Sequence, residues 1–575
     1  MTRTARPLLP ASIRNRLPAM LTVLAACLAT ACATQPRGSD GAAASSGPAT
    51  PASFHVDVPA ISRPEGETAA WWYRSGAAHA AANGAMAGRA KNVILFVGDG
   101  MSLTTVAAAR IYAGQLEGGS GEENLLSWEH FPATAFSRTY NTNAQTPDSA
   151  GTMTAMASGV KSHIGAIGVS AGAMDDCAES RGKRVQSWLA LAADAGVATG
   201  IVTTARLTHA TPAAMYAHVP NRNWESDAST PAEAKAAGCT DIASQFIEFV
   251  RDTGGPKVVL AGGAREFLPA EEVVPGVRGR RKDGRNLVAE WQGLNPDGAF
   301  VHTTGQFEAA RGKSPVLGLF EPSHMQYEHD RDRGPEGEPD IEAMTRFAIE
   351  SLSRSERGYV LLVEGARIDH ANHEGNAYRA LDETAAMARA VQAASDMTSA
   401  EDTLIVVTAD HSHVLSFSGY PRRGNPILGK VREYGDGPAL DALGLPYTTL
   451  SYANGPGYAG ASNDQPAGPK RHGHDLEEAQ PALGRPDLGK VDTTHPDYLQ
   501  EALVPLGSET HGGDDVGIWA RGPGSSAFRG TLEQNVIYHV IVQAAPALRG
   551  QLCATGSCDA SGVPVDLPKV QPPAP

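Results

Sequence analysis

The chain lacks three things, and each absence removes a class of explanation. Its six cysteines form no CxxC…CxxC pattern, so a cysteine-built zinc module is excluded. Positive charge is not in surplus: 48 Lys and Arg face 63 Asp and Glu, a formal net charge of -15. That balance argues against nucleic acid or an anionic membrane surface as a partner. The apolar run Leu17–Ala31 is too short to span a bilayer, and no other transmembrane segment or C-terminal anchor signal is visible. Sequence repeats are also missing beyond an alternation of strand-like and helix-like segments. What remains is a 575-residue chain, 42% hydrophobic, long enough for one very large α/β domain or two to three ordinary ones.

The N-terminus reads as a targeting segment. Arg3, Arg6, Arg14 and Arg16 precede the run Leu17–Ala31. Two stretches, Leu24-Ala25-Ala26-Cys27 and Ala29-Thr30-Ala31-Cys32, resemble the lipobox of bacterial lipoproteins, so residues 1–32 are expected to be a signal with Cys27 or Cys32 lipidated. An ordinary cleaved signal is the alternative. Either way the chain is expected to be exported, to the periplasm or cell envelope, with the lipid as its membrane anchor. Residues 33–66 read as a linker, Ala/Ser/Gly/Pro/Thr-rich to about Ser53. Four cysteines remain beyond the signal, an even number in an oxidising compartment. Cys553 and Cys558 are close enough to close a small loop, which leaves Cys177 and Cys239 for each other.

The body of the chain repeats one format. Asn92–Val97 reads as a strand buried on both faces and ends at Asp99. Thr146-Pro147-Asp148-Ser149 leads into small, helix-compatible residues, which places Ser149 at or near a helix N-terminus. There it could act on an anion or simply cap the helix. Val197–Thr204 leads to His209, Thr211 and Arg222. Tyr359–Val363 leads to Glu364, Asp369, His370 and His373. Thr403–Thr408 leads to Asp410, His411 and His413, and His511 precedes the strand-like Val516–Ala520. Ligands gather at the carboxyl ends of strands in open α/β sheets. Asp369 and His373 are one helical turn apart and suit one metal; Asp410 and His411 suit a second. Carboxylate with imidazole favours zinc, whereas Asp99, Thr211 and Glu364 offer the oxygen-only set that magnesium prefers. Val185–Ala195 reads as an amphipathic helix and the stretch near Leu532–Ala545 as an apolar one, while residues from about 416 to 500 are Gly/Pro-rich and break the pattern, as a surface insertion would, and 559–575 form a Pro-rich tail.

These motifs together resemble the alkaline phosphatase family, and its animal-type branch in particular. The resemblance is carried by KNVILFVGDGMS (Lys91–Ser102), PDSAGTMTAMASGV (Pro147–Val160), HATP (His209–Pro212), NRNW (Asn221–Trp224), EGARIDHANHEG (Glu364–Gly375), TADHSHV (Thr408–Val414) and ETHG (Glu509–Gly512). It implies a three-layer α/β/α fold with a large, mostly parallel central sheet over 67–558 and a crown-like insertion. It implies Ser149 as the nucleophile that becomes phosphoserine, and Arg222 as the residue gripping two phosphate oxygens. Two zinc ions are implied, one on Asp369, His373 and His511, the other on Asp99, Asp410 and His411 with Ser149. Magnesium is implied on Asp99, Thr211 and Glu364. His209 and His370 would tune the magnesium site and contact phosphate through water, and His413 would support a ligand from behind. Animal-type members also hold calcium; Phe320 and Glu321 match part of that pattern, and the other carboxylates do not align. The Cys177–Cys239 and Cys553–Cys558 pairs match the branch's two disulfides. A homodimer acting on small phosphomonoesters is implied, with the helix bearing Trp71–Tyr73 either exchanged between subunits or packed on its own. The competing readings are a phosphodiesterase or sulfatase of the same superfamily, and a non-catalytic phosphate-binding lipoprotein.

Overall fold

The computed structural model describes residues 54–570, apart from 275, 436, 461–471 and 473–484. The signal with Cys27 and Cys32, the linker as far as residue 53, two stretches of the insertion and residues 571–575 lie outside the described residues.

Strand Asn92–Gly98 explains the architecture. Its even and odd residues serve two different cores: Val93, Leu95 and Val97 join one hydrophobic cluster, Ile94 and Phe96 the other. Leu404 and Val406 of strand Thr403–Ala409, and Val360 and Leu362 of strand Tyr359–Gly365, fall with the first set, while Ile405, Val407, Leu361 and Val363 fall with the second. A strand covered on both faces must be apolar at every position, which is why these segments read as unbroken apolar runs. Helices Leu103–Leu116, Ile341–Leu352 and Ala377–Met397 cover one face; helices Ser149–Ser158, Ile242–Thr253 and Val536–Ala544 cover the other. The result is the expected three-layer α/β/α sandwich.

The central sheet has ten strands. In spatial order they are Gly530–Glu533, Ala133–Arg138, Val516–Arg521, Thr403–Ala409, Asn92–Gly98, Tyr359–Gly365, Ala198–Arg206, Val258–Gly262, Val316–Leu319 and Ala299–Val301. Only Val516–Arg521 runs against the rest, antiparallel to both neighbours. The register aligns Gly98 with both Ala409 and Gly365, so Asp99, Asp410 and Ala366 leave the sheet at one level. Because Val516–Arg521 is reversed, its amino end lies at that same edge, and His511 arrives there from the opposite chain direction.

Some boundaries differ from the sequence reading. Leu532 lies in the edge strand Gly530–Glu533 rather than in the apolar helix, which starts at Val536. The helix expected from Val185 starts at Trp188, capped by Ser187. The helix Ala69–Ala82 packs on its own chain. Tyr73 and Tyr538 place their hydroxyls 3.4 Å apart, and Asn535 Nδ2 donates to the Trp72 carbonyl at 2.9 Å. Cys177 is bonded to Cys239 and Cys553 to Cys558. A three-stranded sheet, Leu415–Phe417, Leu450–Gly455 and Ala502–Pro505, joins described residues of the insertion to its two flanks.

Candidate active site

Ser149 is the first residue of its helix, but it is not the cap. Asp148 takes that role, its carboxylate accepting from Gly151 N at 3.1 Å, which leaves the Ser149 hydroxyl free. The hydroxyl donates to Asp99 Oδ1 at 3.3 Å and sits 3.2 Å from His411 Nε2, buried at 2% exposure. His411 Nε2 lies in turn 3.3 Å from Asp99 Oδ1 and 3.4 Å from Asp410 Oδ2. Asp410 is held on several sides: Gly100 N and His411 N donate to Oδ1, the Thr152 hydroxyl donates to Oδ2, and Gln534 Nε2 donates to the Asp410 carbonyl. The turn after Asp99 requires Gly100, whose φ is +66°. A Cβ there would come within 2.4 Å of His413 Nε2.

A second group stands beside the first. Asp369 Oδ1 is 3.4 Å from His373 Nε2 and 3.5 Å from His511 Nε2, and those two nitrogens are 3.0 Å apart. Asp369 and His373 do sit one turn apart, on helix Arg367–His373. A third group joins Asp99 with Glu364 and Thr211, and His209 adjoins it.

The chemistry of these donors fits metal ions. Each of His373, His411 and His511 points Nδ1 at a backbone carbonyl: that of Glu509 at 2.5 Å, of Ser412 at 3.2 Å and of Pro147 at 2.8 Å. This fixes the tautomer and turns the Nε2 lone pair of every ring into the site. Asp99 Oδ2, Thr211 Oγ1 and Glu364 Oε1 are buried without a hydrogen-bond partner, while the Thr203 hydroxyl donates to the other Glu364 oxygen. Burial, with Asp410, Asp369 and Glu364 close by, drives the Asp99 carboxyl well above its usual range, and burial pushes Glu364 up to about 8. Packed carboxylates of this kind call for a cation. Glu321, which matches part of the calcium pattern, joins none of the converging ligand groups among the described residues.

Arg222 faces this centre. Its Nη1 contacts Asp148 Oδ2 at 3.0 Å and its Nη2 lies 3.0 Å from His209 Nε2. Burial opposes charge on Asp148, but Arg222 and the N–H groups of Gly151 and Gly165 hold its carboxyl below the ordinary value. Next to His209 stands an imidazole cluster: the His370 ring is 5.7 Å from His209 and 4.1 Å from His324. Burial, with Arg367 beside it, lowers His370 to about 3, so it is neutral. His413 differs. It lies between Glu509 and Asp369, and although burial opposes the charge, both carboxylates raise it to about 10.

The structure therefore brings Asp99, Ser149, His209, Thr211, Arg222, Glu364, Asp369, His370, His373, Asp410, His411, His413 and His511 together at one edge of the sheet. Sequence reasoning missed Asp148 as cap and Arg222 partner, Glu509 behind two histidines, and His324. Glu509 was inside the ETHG motif and Asp148 beside Ser149; His324 followed no strand-end signal.

An alkaline phosphatase family model matches residues 90–547. The chain belongs to the alkaline phosphatase family. This phosphatase is 44% identical over 468 residues to the tissue-nonspecific isozyme of Gallus gallus, spanning 79% of this chain and 84% of that one. It is 44% identical over 469 residues to alkaline phosphatase of Gadus morhua, spanning 80% and 92%, and 43% identical over 469 residues to the human tissue-nonspecific isozyme, spanning 79% and 84%. In fold it is similar to Thermus thermophilus alkaline phosphatase, with a TM-score of 0.57 at 23% identity over 85% of this chain and 96% of that one. With relatives of this kind over most of its length, the phosphatase is an enzyme that hydrolyses phosphate monoesters; the family implies divalent metal, and the chain carries candidate Asp/Glu/His clusters for it.

Proposed function

We propose that hydrolysis proceeds through phosphoserine at Ser149, with two zinc ions and one magnesium at the edge cluster. The observation that carries this reading is the uncapped Ser149 hydroxyl, aimed between Asp99 Oδ1 and His411 Nε2. Asp369, His373 and His511 would hold one zinc; Asp99, Asp410 and His411, with Ser149 alongside, the other; Asp99, Thr211 and Glu364 would hold magnesium. When bound, these ions supply Lewis acidity and positive charge for the transferring phosphoryl group.

The residues do the rest. The Ser149 oxygen attacks phosphorus, the bond to the ester oxygen breaks, and the alcohol leaves with a proton. Water then attacks phosphoserine, releasing phosphate and restoring the Ser149 hydroxyl. Arg222 presents two N–H groups to equatorial oxygens, where charge accumulates in the transition state. Neutral His209 and His370 offer hydrogen bonds to water at the phosphate without adding charge. The site grips the phosphoryl group and little else, which supports broad monoester specificity. The chain is further proposed to act as a homodimer, exported and anchored through Cys27 or Cys32.

The decisive experiment is mass spectrometry of acid-quenched enzyme during p-nitrophenyl phosphate turnover. Phosphate is expected on the peptide containing Ser149. Turnover with no covalent phosphate at Ser149, together with undiminished activity of Ser149→Ala, would overturn the mechanism.

A further inference from the structure

Glu509 is buried at 1% exposure and lies behind the Asp369, His373 and His511 group rather than in it. It nevertheless holds both sides of that group. Its backbone brackets His373: the carbonyl accepts from His373 Nδ1 at 2.5 Å, and its N–H donates to the His373 carbonyl at 2.8 Å. Its carboxylate holds His413, with Oε2 accepting from Nδ1 at 2.5 Å, while Oε1 accepts from Val414 N at 2.7 Å. His413 spends its other nitrogen on Asp369 Oδ1 at 2.7 Å. One residue thus sets the ring orientation of His373 and, through His413, the carboxylate of Asp369.

We infer that Glu509 is the positioning residue of the zinc site formed by Asp369, His373 and His511. The inference rests on the two-zinc reading above. Its physical basis is that both carboxylate oxygens must accept. Val414 N and His413 Nδ1 are donors, and a side-chain amide has only one acceptor oxygen. A glutamine gives its one acceptor oxygen to only one of them and turns NH2 toward the other, so whichever tautomer His413 takes, the carboxylate bond to Nδ1 is replaced by a weaker neutral contact or none. His413 then loses its carboxylate anchor, and the hydrogen bond that aims Asp369 is held less firmly. Glu509 Oε2 lies 3.9 Å from His373 Nδ1, the nitrogen turned to the Glu509 carbonyl, so the carboxylate adjoins His373 on the side away from its Nε2.

The test is Glu509→Gln, with Thr510→Val as control. Thr510 is in the same loop, and its side chain bonds Asn454 Nδ2 at 2.9 Å without touching the cluster. Metal-free protein is titrated with zinc against a chromophoric chelator. In wild type, two tight sites are expected. In Glu509→Gln, one site is expected to weaken about 10–100-fold while the other keeps its affinity, the usual consequence of losing a ligand's supporting bond. Excess zinc is expected to restore kcat. Equal affinities in wild type and Glu509→Gln would overturn the positioning role alone. So would Thr510→Val weakening the site as much, which would make the effect one of loop loosening. A third zinc present in wild type and lost in Glu509→Gln would make Glu509 a ligand and overturn it too. Wild type that binds no zinc would overturn this inference and the two-zinc reading together.

Discussion

Asp148 Oδ2 lies 3.0 Å from Arg222 Nη1, and the same side chain caps the helix that begins at Ser149. The proposed nucleophile and the guanidinium proposed to grip phosphate are therefore set by one carboxylate. Asp148→Ala is expected to cost about 1 kcal/mol of stability from the lost cap. Arg222 would lose its anchor, so inorganic phosphate should inhibit several-fold less well. Product-inhibition constants and thermal melts measure the two effects; unchanged phosphate inhibition would mean Arg222 is positioned by other contacts.

Chelation should abolish activity, and zinc with magnesium should restore it. It should also lower the melting temperature, because the carboxylates of Asp99, Asp369, Asp410 and Glu364 would then share a buried site without a cation. A melt unchanged by chelation would show that the ions contribute nothing to folding.

The oxygen-only site has its own signature. Thr211 is buried beside Glu364, so Thr211→Val removes a proposed magnesium donor while keeping the side chain's shape. Activation by added magnesium should shift to roughly tenfold higher concentration, by analogy with the loss of other metal contacts, while zinc content stays the same. A parallel fall in zinc content would place Thr211 elsewhere in the site.

Stability should also depend on pH through Lys161. This ammonium is 1% exposed and bonded to the Arg138 and Tyr140 carbonyls and to Glu533. Burial outweighs Glu533 and pushes it down to about 8. The unfolded chain keeps that proton to about 10.4. Between these values the unfolded state binds more protons, so the contribution of Lys161 to stability rises with pH through the window from about 8 to 10.4. Below about 8, the cost of burying the charge is fully present. Lys161→Met should show a shallower rise over that window in denaturant melts; parallel curves for the two proteins would contradict the assignment.

The central strands were legible because burial on both faces leaves no choice but apolar residues from Asn92 to Val97 and from Thr403 to Thr408. The candidate ligands were legible because acids with histidines close behind recur at the ends of several such runs, whereas a lone strand-end acid reads as a turn or helix cap. Strand Ala133–Arg138 was not legible. It buries Ala133 and Ala135 and turns Phe136 outward at 42% exposure, so its large apolar residue is on the wrong face for pattern reading. The edge strand Gly530–Glu533 is too short and polar to register, and Leu532 merged with the helix after it. His324 and Glu509 act through contacts between distant segments, with Glu509 and His413 96 residues apart, and no local spacing encodes that.

The reversed strand Val516–Arg521 has a consequence in time. His511 reaches the edge cluster just before that strand begins, whereas Asp99 follows the first strand of the sheet. A chain emerging from its N-terminus would carry its nucleophile and most of its ligands long before the last imidazole exists. Catalytic competence would wait for His511, far along the chain from Asp99. Half-built chains would hold an incomplete site, unable to hydrolyse the phosphate esters around them.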